Sequence, residues 1–213
     1  MLTAEKLFAE RGIDRVSIRQ INLAAGQKNS SATQYHFGTK IALLEALFDY
    51  RMEPINQHRL EMLRELEAAG DTDNLQRLIG ALVQPLAEQL KSQGAGYYYI
   101  PIVAQVIGHP NYHEIARHRS HHGAGLQWLL TLIKKNLPVI PEALILQRFG
   151  MALRQVFNEL ADYQRLNLSG PVATGTGMPL FISGLVDAVT AQFAAPVSAA
   201  TLQEFEKKQQ KSA

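Results

Sequence analysis

Apolar positions recur along this chain at intervals of three and four and nowhere alternate as a half-buried strand would, so the pattern predicts helices and no sheet. Ala4, Leu7 and Phe8 share one face of a short first helix from Thr3 to Arg11, with Gly12 placed for a left-handed stop. Ser17 is placed to cap a second helix whose Ile18, Ile21 and Ala25 face inward, and Gly26 ends it. A turn through Gln27, Lys28 and Asn29 leads to a third helix, capped by Ser30 or Ser31 and ending near Phe37. Gly38 and Thr39 then break and recap the chain before Lys40. The longest amphipathic run follows, with Ile41, Leu44, Leu47, Phe48, Met52, Ile55, Leu60, Leu63 and Leu66 on its apolar face. Pro54 lies inside it, and a kink is expected there.

Gly70 and Asp71 close that run. Thr72 or Asp73 starts a helix through Leu75, Leu82 and Leu90 with an internal Pro85, ended by Gly94 and Gly96. Tyr97 to Ile107 is almost wholly apolar and predicts a buried helix. Another is expected from Asn111 through Trp128 and Ile133 to Asn136–Pro138. Pro141 suits the first position of a run through Leu144, Phe149, Leu153, Phe157 and Leu160. Met178 or Pro179 opens the last apolar helix, which Pro196 and Ser198 stop. Residues 199–213 read as a charged, frayed tail. The fold class is all-α.

At 213 residues the chain has room for one large helical domain, or for a small module on a larger one. It has no cysteine, which excludes disulfides and thiolate metal sites and fits a cytoplasmic location. No segment approaches the ~18 apolar residues of a membrane span. A net charge of +2 does not point to nucleic acid, so any such signal must be local. It is local: from Arg15 to Leu44 the chain carries Arg15, Arg19, Lys28 and Lys40 and no Asp or Glu. Short helices with one sign of charge and many small polar side chains suit a phosphate backbone better than a small substrate.

The same stretch carries a family resemblance. LFAERG at positions 7 to 12, Ser17 with Ile18, Arg19, Gln20 and Ile21, Ala25-Gly26, and YHFGTK from Tyr35 to Lys40 with Leu43 or Leu44 behind are similar to the tetracycline-repressor (TetR) family. The resemblance covers about the first 48 residues and is specific, because several motifs occur in order at nearly the right spacing. It implies a three-helix helix-turn-helix module at 1–46 joined to a larger ligand-binding and dimerisation domain at 47–198. It also implies a homodimer on a palindromic double-stranded DNA operator, each subunit placing its third helix in the major groove. Asn29, Ser30, Ser31, Thr33 and Gln34 supply the short polar side chains that such a helix needs. Asn29 and Gln34 suit adenine edges and Lys28 suits guanine, while Ser17, Tyr35, His36 and Lys40 map onto positions that grip phosphate; Arg19 completes the set. The implied function is a ligand-responsive transcriptional regulator, a repressor released from DNA by a small amphipathic or anionic effector that shifts the fourth helix. No cofactor and no enzymatic activity are implied.

The effector pocket is expected among Tyr98, Gln105, His113, Arg119, Trp128, Phe149, Arg154 and Phe157, whose basic members suit an anion. For any one of the aromatics, ordinary core packing is the competing reading. A dimer interface is expected at Phe157, Leu180, Phe181, Gly184, Leu185 and Ala188, where small residues permit close approach. His109 and His113, and His118 and His122, have the four-residue spacing of metal-binding pairs. No HExxH arrangement accompanies them, so they read as a polar helix face and no metal is assigned. Two alternatives stand beside the regulator. One is a dimeric ligand-binding protein with weakened DNA binding, suggested by Asn22 where the family usually has alanine and by the few residues ahead of LFAERG. The other is a metal- or histidine-dependent helical-bundle enzyme, which lacks a recognisable nucleophile, phosphate loop or carboxylate pair.

Overall fold

Helix ends in this chain are written by short-range hydrogen bonds, and the structure, a computed structural model, shows them closing where glycines and small polar residues fall. It describes residues 1–26, 37–90, 96–112, 115, 123–168 and 177–210, without the side chains of 167 and 168. Helix α1 (Leu2–Arg11) stops at Gly12, whose φ of 88° only glycine adopts freely and whose N–H donates to the Phe8 carbonyl. Helix α2 (Ile18–Ala24) opens on a capping box: Ser17 Oγ accepts from the Gln20 N–H while the Gln20 side chain accepts from the Ser17 N–H. Helix α3 (Lys40–Ala68) begins at Thr39, which accepts from the Ala42 N–H. It ends in a Schellman motif: Asp71 N–H reaches the Leu66 carbonyl and Gly70 N–H the Glu67 carbonyl, with Gly70 at φ 72°.

The rest of the chain continues as α4 (Leu75–Ala87), α5 (Tyr99–Ile107), α6 (Ala124–Asn136), α7 (Glu142–Leu168), α8 (Met178–Ala194) and α9 (Ala199–Gln210). Among the described residues there is no strand. Helix α4 is the centre of the body, packing on α3, α6 and α8, while α7 takes α5 and α8. Leu78, Ile79, Ala81, Leu82, Ile100, Val103, Leu129, Phe149 and Phe157 form the buried core that results. At 29 residues α3 is roughly 43 Å long, and it runs unbroken from the N-terminal module into that body. Pro54 sits on its exposed face, where water can take the carbonyl the proline leaves unpaired.

Several expectations are corrected. Ala25 is the exposed C-cap of α2, and Asn22 takes the inward place instead, because the helix ends one residue before Ala25 could turn in. Helix α4 starts after Asn74, whose side chain accepts from the Arg77 N–H, rather than at Thr72 or Asp73. The run expected from Asn111 to Asn136 is broken at Gly123, which has extended backbone and opens α6. Residues 199–210 are not frayed: Ser198, after the stop at Pro196, caps α9, and Phe205 is half-buried. Helices α8 and α9 meet at a bend of 61°, and among the described residues no single helix is long and apolar enough to cross a membrane.

Candidate nucleic-acid interface

Ala4, Leu7, Phe8, Ile13, Val16, Ile21, Leu43, Leu44, Leu47 and Phe48 bury against one another and set α1, α2 and the start of α3 into one small unit. Ile18 and Phe37 pack at its margin. With the apolar faces turned in, Arg11, Arg15 and Arg19 are left exposed. Ser17 is exposed too, but its hydroxyl is engaged on both sides by Gln20, accepting from the N–H at 3.2 Å and donating to Oε1 at 3.0 Å. Lys40 is half-buried and donates to the Ile13 carbonyl at 3.0 Å, so it braces the α1–α2 turn rather than projecting freely. Lys28, Asn29, Ser30, Ser31, Thr33, Gln34, Tyr35 and His36 lie outside the described residues.

Three long-range contacts tie this unit to the rest of the chain. Glu5 in α1 and Arg51 in α3 form a buried two-point pair, Arg51 Nε to Oε1 at 2.9 Å and a terminal nitrogen to Oε2 at 2.5 Å. The Gln105 carboxamide in α5 straddles Gly12, donating to the Phe8 carbonyl at 3.3 Å and accepting from the Ile13 N–H at 3.2 Å. Beyond the end of α5, His109 Nε2 meets Asp14 Oδ2 at 2.8 Å, and the imidazole stacks on Tyr112 at 4.4 Å. The His109 hydrogen bond holds the Asp14 carboxyl below its ordinary range, with the charges of His109 and Lys40 adding to it. None of these pairings is visible from local sequence; the only hint is a Glu and an Arg on otherwise apolar helix faces.

Residues 1–47 match the family of bacterial regulatory proteins called the tetR family. The chain therefore carries a tetR-family DNA-binding module at its N-terminus. No curated protein matches the chain. That module marks a DNA-binding transcriptional regulator.

In the body of the chain the described residues among the expected pocket set divide between core, surface and the α1–α2 turn. Phe149 and Phe157 are buried core, because they fall on the inward stripe of α7, and Arg154 lies on its exposed side. Tyr98 and Trp128 are half-buried, Gln105 is committed to the α1–α2 turn, and His113 and Arg119 lie outside the described residues. A cleft of about 670 Å³ opens between α3, α4 and α8, over Met62, Leu66, Gly80, Ile182 and Val186. Of the expected dimer residues, Leu180, Gly184 and Ala188 are exposed on α8 and Phe181 is half-buried against Tyr163, their rings stacked at 4.4 Å. Leu185 and Phe157 face into their own chain. His118 and His122 lie outside the described residues, and His109 is engaged with Asp14.

Proposed function

We propose that this DNA-binding regulator acts as a homodimeric, ligand-responsive repressor. The observation that carries the ligand-responsive part is the double attachment of the α1–α2 turn to α5, through Gln105, and to the residues just after α5, through His109. That attachment lies beside the shared helix α3. A change in the body that shifts α5 or α3 therefore reaches the module that meets DNA, and it alters the spacing of two modules related by a two-fold axis. Groove reading is assigned to Lys28, Asn29, Ser30, Ser31, Thr33 and Gln34, and phosphate gripping to Ser17, Arg19, Tyr35, His36 and Lys40. The dimer is assigned to the outer stripe of α8, Leu180, Gly184 and Ala188, where a Cβ on Gly184 would meet nothing within 4 Å of its own chain.

The test is selection of duplexes from a random pool by the full chain. The expected product is a palindrome with half-sites one helical turn apart, about 34–36 Å. Enrichment of a single unrepeated site, by a protein that sediments as a monomer, would refute the dimeric reading.

A further inference from the structure

Pro85 is buried inside α4. Having no N–H, it deprives the Ala81 carbonyl of its helical donor. Arg59 of α3 supplies the replacement: its Nε donates to Ala81 O at 3.2 Å, and a terminal nitrogen donates to Asn56 Oδ1 at 2.5 Å. A neutral amide would serve that purpose. The site instead holds a guanidinium that is 1% exposed, with further N–H groups on its planar fork. Burial lowers its pKa to about 10, so it remains charged at neutral pH. Among the described residues no carboxylate pairs with it, and an isolated buried charge is costly.

Two more donors are buried beside it. Asn56 lies so close to Gly123 that a Cβ there would stand 2.1 Å from Asn56 Nδ2, and one on Gly125 would stand 3.5 Å from Arg59 Cβ. Helix α6 therefore begins against Asn56 and Arg59, with no side-chain cap, and its first amides add partial positive charge. Tyr99 is 1% exposed, its ring edge-on to Phe48. It is close enough to Arg59 to feel the charge, which offsets part of the rise that burial imposes on the phenol.

We propose that Arg59, Asn56 and Tyr99 form an anion-recognising subsite inside the body, and that its ligand is a small organic carboxylate on an apolar skeleton. The inference rests on the ligand-responsive reading above. A carboxylate accepts two parallel N–H groups from a guanidinium and has lone pairs left for an amide and a phenol. One buried cation balances one negative charge, which favours a carboxylate over a phosphate dianion. Met52, Ile55 and Leu63, buried on the same face of α3, suit the apolar part. Reaching Arg59 parts the helices that bury it, so occupancy is coupled to the packing of α3, the helix that continues into the DNA-binding module.

Calorimetry on the full chain tests this with straight-chain carboxylates from butyrate to decanoate and with benzoate, each against its matched alcohol. At least one carboxylate is expected to bind while its alcohol does not. Arg59→Met is expected to weaken that carboxylate by ~10–150-fold, the range for a hydrogen bond to a charged group. Tyr99→Phe, which removes one oxygen and leaves the packing, is expected to weaken it by several-fold, and it carries the test if Arg59→Met does not fold. Equal binding of acids and alcohols, or acid binding indifferent to both substitutions, would overturn the proposal and leave Arg59 as a brace for the Ala81 carbonyl. DNA binding is read in parallel. A carboxylate that binds through Arg59 without changing DNA affinity keeps this site and refutes the ligand-responsive reading. A neutral compound that releases DNA from wild type and Arg59→Met alike does the reverse.

Discussion

Glu5 and Arg51 are 2% and 6% exposed, and each is the other's partner at two hydrogen bonds. Replacing Arg51 with Met leaves a carboxylate in the seam between α1 and α3 with no cation to meet it. The expected loss is ~3–5 kcal/mol, the usual result of breaking a buried pair from one side. For a chain of this length that corresponds to roughly 6–20 °C in Tm. Arg51 also lies over the Tyr50 ring at 5.0 Å, an exposed contact worth ~0.5–1 kcal/mol that the substitution loses as well. A double-mutant cycle with Glu5→Leu removes that term. The double variant, with an apolar seam, is expected to recover most of the loss, so that the coupling is at least ~3 kcal/mol. Urea titration gives the free energies, and hydrogen exchange gives the place: amides of α1 exchange faster in Arg51→Met while those of α4 keep their protection. Single losses below ~1 kcal/mol that simply add would refute the reasoning, since that is how solvent-exposed pairs behave.

Other outcomes follow from the same geometry. Gln105→Leu leaves the Ile13 N–H and Phe8 carbonyl without their partner, so the turn loosens by ~1–3 kcal/mol and its amides lose protection in exchange measurements. An Asp14 carboxyl followed by NMR titrates below 3.8, and His109→Ala moves it back upward. Because this folded-state pKa is lowered, the contact favours the folded state at neutral pH. That contribution is lost as pH falls below the ordinary carboxylate range through the folded midpoint. Gly125→Ala brings a Cβ to 2.9 Å from the Asn56 carbonyl, so α6 must shift and stability falls by an amount typical of overpacking, ~1–3 kcal/mol, read as a lower Tm. Ala188→Glu, exposed in its own chain, is expected to leave the far-ultraviolet circular dichroism unchanged and to give a monomer in sedimentation.

What was legible in the sequence was what short-range chemistry decides. The stops at Gly12, Gly26 and Gly70 and the caps at Ser17 and Thr39 follow from the backbone needs of a few consecutive residues, and the structure has them where the spacing placed them. Ser198 reads in sequence as a stop, yet the same hydroxyl that follows a break is what starts α9. The contacts of Gln105 and His109 join residues 92 to 97 apart in the chain, and Glu5 to Arg51 spans 46, so no local pattern announces them. The spacing of apolar residues predicts a stripe on α3 that runs through Leu60 and leaves Arg59 beside it. In the structure Leu60 is half-buried and Arg59 faces inward, held there by the carbonyl that Pro85 frees. A charged residue on the buried stripe of an amphipathic helix was the available signal, and it applied to Arg51 as well.

The N-terminal module is expected to bind DNA through its phosphates. The most direct measurement is the affinity of the full chain for a selected duplex as a function of salt, by fluorescence anisotropy. If each of two modules neutralises about three phosphates, the slope of log K against log salt is about −5. Arg19→Ala, which removes one exposed cation per module, is expected to flatten that slope by about 2 while leaving the fold intact. A slope near zero, or no binding at low salt by a protein that is folded and dimeric, would contradict the account.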